Sequence, residues 1–122
     1  MDSTTAIVID DDKETVSVFC EYMRGMGIDV RGFGYNGKQA VELYERLRPD
    51  VVFLDLIMPE YDGFYALDRL RQIDPDSKVI VITANHLTEA DGARLENLNP
   101  TRVVTKPFDV NDILRFVGEL GK

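Results

Sequence analysis

One cysteine and one histidine are all that this 122-residue chain offers to thiol or imidazole chemistry. With Cys20 alone, neither an intramolecular disulfide nor a cysteine metal cluster can form, a usage that fits a reducing cytoplasm. His86 follows Thr83-Ala84-Asn85 in what reads as a loop, a poor setting for a metal or phosphohistidine role. Basic residues are outnumbered: 14 Lys and Arg stand against 22 Asp and Glu, for a net charge of −8. Direct binding to nucleic acid needs clustered Lys and Arg against phosphates, and no basic run or RNA-binding aromatic motif occurs. No apolar run approaches the roughly 20 residues that span a bilayer. The start, Met1-Asp2-Ser3-Thr4-Thr5, is polar and acidic, unlike a secretory signal. Internal repeats, low-complexity tracts and linkers are also missing. What remains is 44% hydrophobic and 30% charged, the composition of a soluble globular protein with one core. A single domain over 1–122 in the cytoplasm, with no membrane or nucleic-acid contact, is the expectation.

Short apolar runs alternate with longer amphipathic segments. Ala6-Ile7-Val8-Ile9 reads as a strand ending in Asp10-Asp11-Asp12. The helix after it carries Val18, Phe19, Tyr22, Met23 and Met26 as its apolar stripe, and Gly27 stops it. Ile28 to Phe33 is a weaker strand interrupted by Gly32, with Gly34 beyond it. Asn36-Gly37 punctuates before a helix with Ala40, Val41, Tyr44 and Leu47 on one face, and Pro49 lies past its end. Val51 to Leu54 is a continuous apolar run, as in a strand buried on both faces of a parallel sheet. Phe64, Leu67 and Leu70 mark a third helix, stopped before Asp74-Pro75. Lys78 to Thr83 is a fourth strand. A fourth helix spans Thr88 to Asn97, opened by Thr88-Glu89-Ala90-Asp91 like a capping box with Asp in place of Glu or Gln. Its Leu87, Leu95 and Leu98 make a thin stripe, and Gly92 inside it costs roughly 1 kcal/mol against Ala. Asn99-Pro100 ends it, Arg102 to Thr105 is a fifth strand, and Asp109 caps a last helix with Val110, Ile113, Leu114 and Val117 on one face. Strict βα alternation predicts an α/β fold: a doubly wound, five-stranded parallel sheet with five helices on its two faces.

Polar residues at strand ends are few, which makes them informative. The first strand ends in Asp10-Asp11, the third in Asp55, the fourth in Thr83 and the fifth in Lys106. Ligand sites of open α/β sheets lie at these carboxyl ends. Taken alone, Asp55 is open to two readings, a reactive carboxylate or a turn cap before Pro59 and Asp62-Gly63. Asp10 and Asp11 could serve only the macrodipole of the following helix, Thr83 could be an ordinary β-branched strand residue, and Lys106-Pro107 an ordinary loop. Taken together, three carboxylates in one cleft repel each other, and a hard, partly hydrated Mg²⁺ relieves that. An ionised Asp beside Mg²⁺, an ammonium and a hydroxyl forms a site for phosphoryl transfer, with Asp55 as the nucleophile of an acyl phosphate.

The segments Val8-Ile9-Asp10-Asp11-Asp12, Leu54-Asp55-Leu56-Ile57-Met58-Pro59-Glu60-Tyr61-Asp62-Gly63, Ile82-Thr83-Ala84 and Thr105-Lys106-Pro107-Phe108 occur in this order over nearly the whole chain. With them the sequence resembles the receiver domains of two-component response regulators. The resemblance implies a flavodoxin-like, CheY-like sheet of order 2-1-3-4-5. It implies that Asp55 accepts a phosphoryl group from a histidine kinase or histidine phosphotransfer protein. Asp11, Asp55 and the Ile57 main-chain carbonyl would ligate Mg²⁺, with Asp10 helping mainly through water, and Asp12 would lie outside the ligand set. Thr83 and Lys106 would each engage a phosphoryl oxygen, and the Lys106-Pro107 bond would be cis. Phosphorylation would rearrange the fourth helix and fifth strand. Thr15 and Val18 lie where the family's first helix docks its kinase. Because the chain ends at Leu120-Gly121-Lys122, a stand-alone receiver without an output domain is expected, a monomer or a weak phosphorylation-dependent homodimer. It would assist its own phosphorylation and dephosphorylation without being a multiple-turnover enzyme.

The chain also departs from the family pattern. Val103 stands where many receivers carry a Tyr or Phe that turns inward, and the 23 positions from Thr83 to Lys106 are slightly more than usual. Ile57 and Asn85 occupy positions where families tune water access to the acyl phosphate. The alternative these departures suggest is a degenerate receiver acting as a constitutive interaction module. An aspartyl-phosphate hydrolase is disfavoured because its second acid would fall at Ile57. A flavin carrier is disfavoured because its phosphate loop would be Asp10-Asp11-Asp12.

Overall fold

A computed structural model describes residues 3–84 and 87–120. Strands β1 (Thr5–Ile9), β2 (Asp29–Gly34), β3 (Val51–Asp55), β4 (Val79–Thr83) and β5 (Arg102–Thr105) alternate with helices α1 (Lys13–Gly25), α2 (Gly37–Leu47), α3 (Gly63–Ile73), α4 (Glu89–Leu98) and α5 (Val110–Leu120). All strands are parallel, in the order β2-β1-β3-β4-β5. The expected fold class and strand order are those observed.

Strand alternation divides the core in two. Val8, Phe53, Ile80, Ile82 and Val104 pack under α1 and α5. Ile7, Ile9, Val52, Leu54, Val79 and Val81 face α2, α3 and Leu95 of α4. The central strands β3 and β4 are buried along their whole length, which is why both read as unbroken apolar runs. Helix starts follow local chemistry. Asn36 accepts from the Gln39 amide (2.9 Å), Asp62 from Tyr65 (2.9 Å), and Thr88 from Asp91 (3.1 Å), each satisfying a first-turn N–H. Asp109 plays the same part with Asn111 (2.8 Å).

The apolar face of α1 matches the expected one only in part: Phe19 and Met23 of that stripe are buried, and Val18, Tyr22 and Met26 are not. Val16, Phe19, Cys20 and Met23 are its buried residues, while Val18, Tyr22 and Met26 are 46%, 52% and 52% exposed. Both sets recur at helical spacing, so periodicity admits either; the sheet selects the face that carries Phe19, whose ring meets Phe53 edge-on at 5.0 Å. Burial also raises the Cys20 thiol pKa, keeping it protonated and inert. In α2, Ala40 and Tyr44 are buried while Val41 and Leu47 are half-buried. The β2 strand lies one residue later than expected, with a register irregularity opposite Ala6/Ile7 beside Gly32. Among the described residues no helix is long and apolar enough to cross a membrane.

Helix α4 is the least anchored, with Leu95 its one buried residue. Its Gly92 has open space where a Cβ would lie. Gly92→Ala should therefore stabilise the protein by about 1 kcal/mol through helix propensity alone, read as a raised urea midpoint with an unchanged slope.

Candidate functional site

Parallel pairing brings the ends of β1, β3 and β4 to one edge, with Ile9 opposite Leu54 and Asp55 opposite Ile82. The residues that follow, or end, these strands therefore converge. One carboxylate oxygen from each of Asp10, Asp11 and Asp55 lies within 4.8 Å of the others. Asp10 and Asp55 are buried, whereas Asp11 is exposed.

Asp10 is fixed by both oxygens. Oδ1 accepts from the Asp12 amide at 2.9 Å, and Oδ2 accepts from Lys106 Nζ at 3.3 Å. The lysine reaches it across 96 positions of sequence, delivered by β5 and by a main-chain bond from the Lys106 amide to the Thr83 carbonyl (2.8 Å). The Lys106-Pro107 bond is cis, as the resemblance implied. Asp12 points elsewhere: its carboxylate accepts from the Glu14 amide (3.2 Å) and Thr15 hydroxyl (2.7 Å), capping α1. The Thr15 bond is the main cause that lowers its pKa.

A small cavity beside the carboxylates is lined by Asp10, Asp55 and Lys106 together with Phe19, Phe53 and Phe108. Phe19 touches both other rings edge-on, at 5.0 and 6.0 Å. In the sequence Phe108 is only the neighbour of Lys106-Pro107, and nothing local marks these aromatic rings as part of the site. Their consequence is electrostatic. Burial, followed by repulsion from Asp10, pushes Asp55 up to about 6, with Lys106 opposing. Asp11 is raised as well, by burial first and Asp10 second. The cluster consists of hard carboxylate oxygens whose mutual repulsion a divalent cation would relieve, and this donor chemistry fits Mg²⁺.

Thr83 ends β4 paired with Thr105. It is fully buried, and its Oγ1 has no hydrogen-bond partner among the described residues. It does not line the small cavity. A buried hydroxyl without a partner carries a desolvation cost of about 1–3 kcal/mol, which a ligand oxygen could offset. Ile57 follows β3 and is 57% exposed, its side chain turned to solvent. Asn85 and His86 lie outside the described residues. Val103 is 45% exposed, while Val104 beside it is buried.

The loop from Leu56 to Asp62, which carries Ile57, is closed at its base by the Gly63 amide donating to the Leu56 carbonyl (2.8 Å). A Cβ on Gly63 would overlap the Asp55 carbonyl oxygen, so only glycine permits this approach.

In metal-free protein Asp55 holds its proton more tightly folded than unfolded. Its stabilising contribution is full below the ordinary value of 3.8 and is lost as pH rises through about 6. In EDTA, the Asp55 carboxyl carbon should titrate by NMR with a midpoint near 6, and Mg²⁺ should move that midpoint down. A midpoint at the ordinary aspartate value would contradict the electrostatics described.

The model of the response regulator receiver domain family matches residues 6–117. The chemotaxis protein CheY of Thermotoga maritima is 36% identical over 120 residues, covering 95% of this chain and 96% of its own. A receiver domain protein (CheY-like) from Methanospirillum hungatei superposes with TM-score 0.89 at 17% identity, covering 98% of this chain and 95% of that one. A chain of the CheX–CheY–BeF3–Mg²⁺ complex from Borrelia burgdorferi superposes with TM-score 0.86 at 23% identity, over 98% of this chain and 90% of that one. Receiver domains bind Mg²⁺ at an acidic pocket, and Asp10, Asp11 and Asp55 form such a cluster here. By sequence over most of its length and by fold, this chain belongs to the response regulator receiver domains of two-component signalling.

Proposed function

We propose that this protein is a phosphorylation-dependent signalling receiver whose Asp55 accepts a phosphoryl group from a histidine kinase or histidine phosphotransfer protein. The observation that carries the reading is the meeting of three carboxylates within 4.8 Å of one another, with Lys106 at 3.3 Å from Asp10. Asp11, Asp55 and the Ile57 main-chain carbonyl would hold Mg²⁺, with Asp10 acting mainly through water. Bound Mg²⁺ supplies the positive charge that keeps these carboxylates ionised together and neutralises the oxygens of the transferring group.

In the transfer, an Asp55 carboxylate oxygen forms the new bond to phosphorus. The bond from phosphorus to the donor's imidazole nitrogen breaks, and its electron pair stays on that nitrogen. Lys106, freed in part from Asp10, pairs with a phosphoryl oxygen, and the Thr83 hydroxyl gains the acceptor it lacks. Water later attacks the acyl phosphate at phosphorus and returns the Asp55 carboxylate and inorganic phosphate, so the chain would assist both its own phosphorylation and its own dephosphorylation. Ile57, two residues past Asp55, is apolar and would offer that water no hydrogen bond. The phosphoryl group adds roughly −1.5 to −2 charge next to β4, whose neighbour α4 is held by one buried side chain. Displacement of α4 and β5 is the output, passed to a protein partner.

Incubation with Mg²⁺ and acetyl phosphate should add one labile phosphate by intact mass, absent in EDTA and absent in Asp55→Asn. An adduct that persists in Asp55→Asn would overturn the assignment.

The exposed Val18, Tyr22 and Met26 of α1 give the phosphodonor an apolar surface to dock on. The groove lined by Thr15, Val18, Tyr22, Phe108 and Val110 supports this placement, since it lies beside the Asp55 cavity and shares Thr15 and Phe108 with it. Tyr22→Ala should slow phosphorylation by the cognate kinase about tenfold, as loss of a central aromatic contact does. Its rate with acetyl phosphate, which needs no docking, should stay unchanged.

A further inference from the structure

The β3–α3 loop has an anchor outside its own strand and helix. The Gly37 amide, in the first turn of α2, donates to the Tyr61 carbonyl at 2.6 Å. Gly37 is buried. A Cβ built on it would lie 3.0 Å from the Tyr61 carbonyl oxygen and closer still to that of Asp62, nearer than real Cβ atoms come to other atoms. Since α2 could accept Ala at this position on helix propensity, the close approach, not the backbone conformation, demands glycine.

The turn that presents Gly37 is itself held in place. Asn36 Oδ1 accepts from the Gln39 amide (2.9 Å), and Gln39 Oε1 accepts from the Tyr35 amide (2.7 Å). The Lys38 ammonium lies 5.8 Å from the centre of the Tyr61 ring. On the loop side, Pro59, Glu60 and Tyr61 are exposed and Glu60 is left-handed, with φ 67°. In the same loop the Met58 side chain is buried, and the Tyr61 ring meets that of Tyr65 at 5.0 Å.

We infer that the first turn of α2, through Gly37, is a positioning element of the metal site: it fixes the loop that carries the Ile57 carbonyl. The inference rests on the reading of Asp11, Asp55 and that carbonyl as Mg²⁺ ligands. Groups that orient ligands from outside the coordination shell are known to govern affinity, and here the orienting group comes from a helix that supplies no ligand.

The test is calorimetric titration of the full, unphosphorylated chain with MgCl₂. Gly37→Ala should lower Mg²⁺ affinity about tenfold while the variant keeps its native circular dichroism. Asn36→Ala, which unties the turn without adding atoms, should lower it in the same direction by less. Thr88→Ala removes an equivalent cap from α4 and should leave Mg²⁺ affinity unchanged, so general destabilisation is separated from positioning. Wild-type affinity in a folded Gly37→Ala overturns the inference. Should that variant fail to fold, wild-type affinity in Asn36→Ala overturns it equally. Failure of the wild-type chain itself to bind Mg²⁺ would instead refute the phosphoacceptor reading.

Discussion

Like charge held at close range is the constraint on which this structure turns. Asp10, Asp11 and Asp55 would separate in water; here a buried parallel sheet denies them that freedom. Asp55 ends a strand whose apolar residues are locked into the core, and Asp10 directly follows another, so neither buried carboxylate is free to retreat. Burying two of them beside Phe19, Phe53 and Phe108 raises their mutual repulsion further, because the cost of an ion grows as water is removed. Lys106 offsets part of this from one side only, at Asp10. The cluster therefore stores an electrostatic cost that a divalent cation would relieve, while Lys106 is the positive charge already in place beside it. That is preorganisation in the sense that matters for catalysis: the protein does not reorganise to meet the charge.

The parts of this arrangement that were legible in the sequence are those governed by local pattern. Val51 to Leu54 reads as a strand buried on both faces, Val79 to Ile82 as a further strand, and a parallel sheet sends their polar ends to one edge. Asp10, Asp55 and Lys106 could be gathered there once the family resemblance supplied the strand order. Where two patterns competed, the sequence was silent. Helix α1 carries Val16-Phe19-Cys20-Met23 and Val18-Tyr22-Met26, both at helical spacing, and only the presence of Phe53 underneath decides which is core. The signal available was the surplus itself: a helix with two apolar stripes has one more than a core requires. Gly37 was invisible for another reason. Asn36-Gly37 has the form of a turn, and nothing local distinguishes a glycine needed for bending from one needed for contact with Tyr61 and Asp62. The aromatic lining was hidden likewise, since Phe19 and Phe53 fill core positions whether or not a carboxylate lies beside them.

Anchoring is distributed unevenly around the site, and the pattern separates the part that holds charge from the part that responds to it. The β3–α3 loop is tied at Gly63 and Gly37, and α3 buries Phe64, Ala66, Leu67 and Leu70. Helix α4 buries Leu95 alone, and just past its end Arg71 bonds the Asn99 carbonyl (2.8 Å) as well as the Ser77 hydroxyl (2.6 Å). Local stability follows buried apolar contact, so displacing α4 costs less than displacing α3. Thr83, whose hydroxyl has no partner among the described residues, ends β4 on the way to α4. Under the proposed phosphorylation, a new acceptor at Asp55 would engage that hydroxyl. Val103, half exposed and lacking a ring, offers no aromatic rotation on β5, so the proposed response would run through other contacts. Rigid ligands on one side and a helix held by one buried side chain on the other are what a charge-operated switch requires.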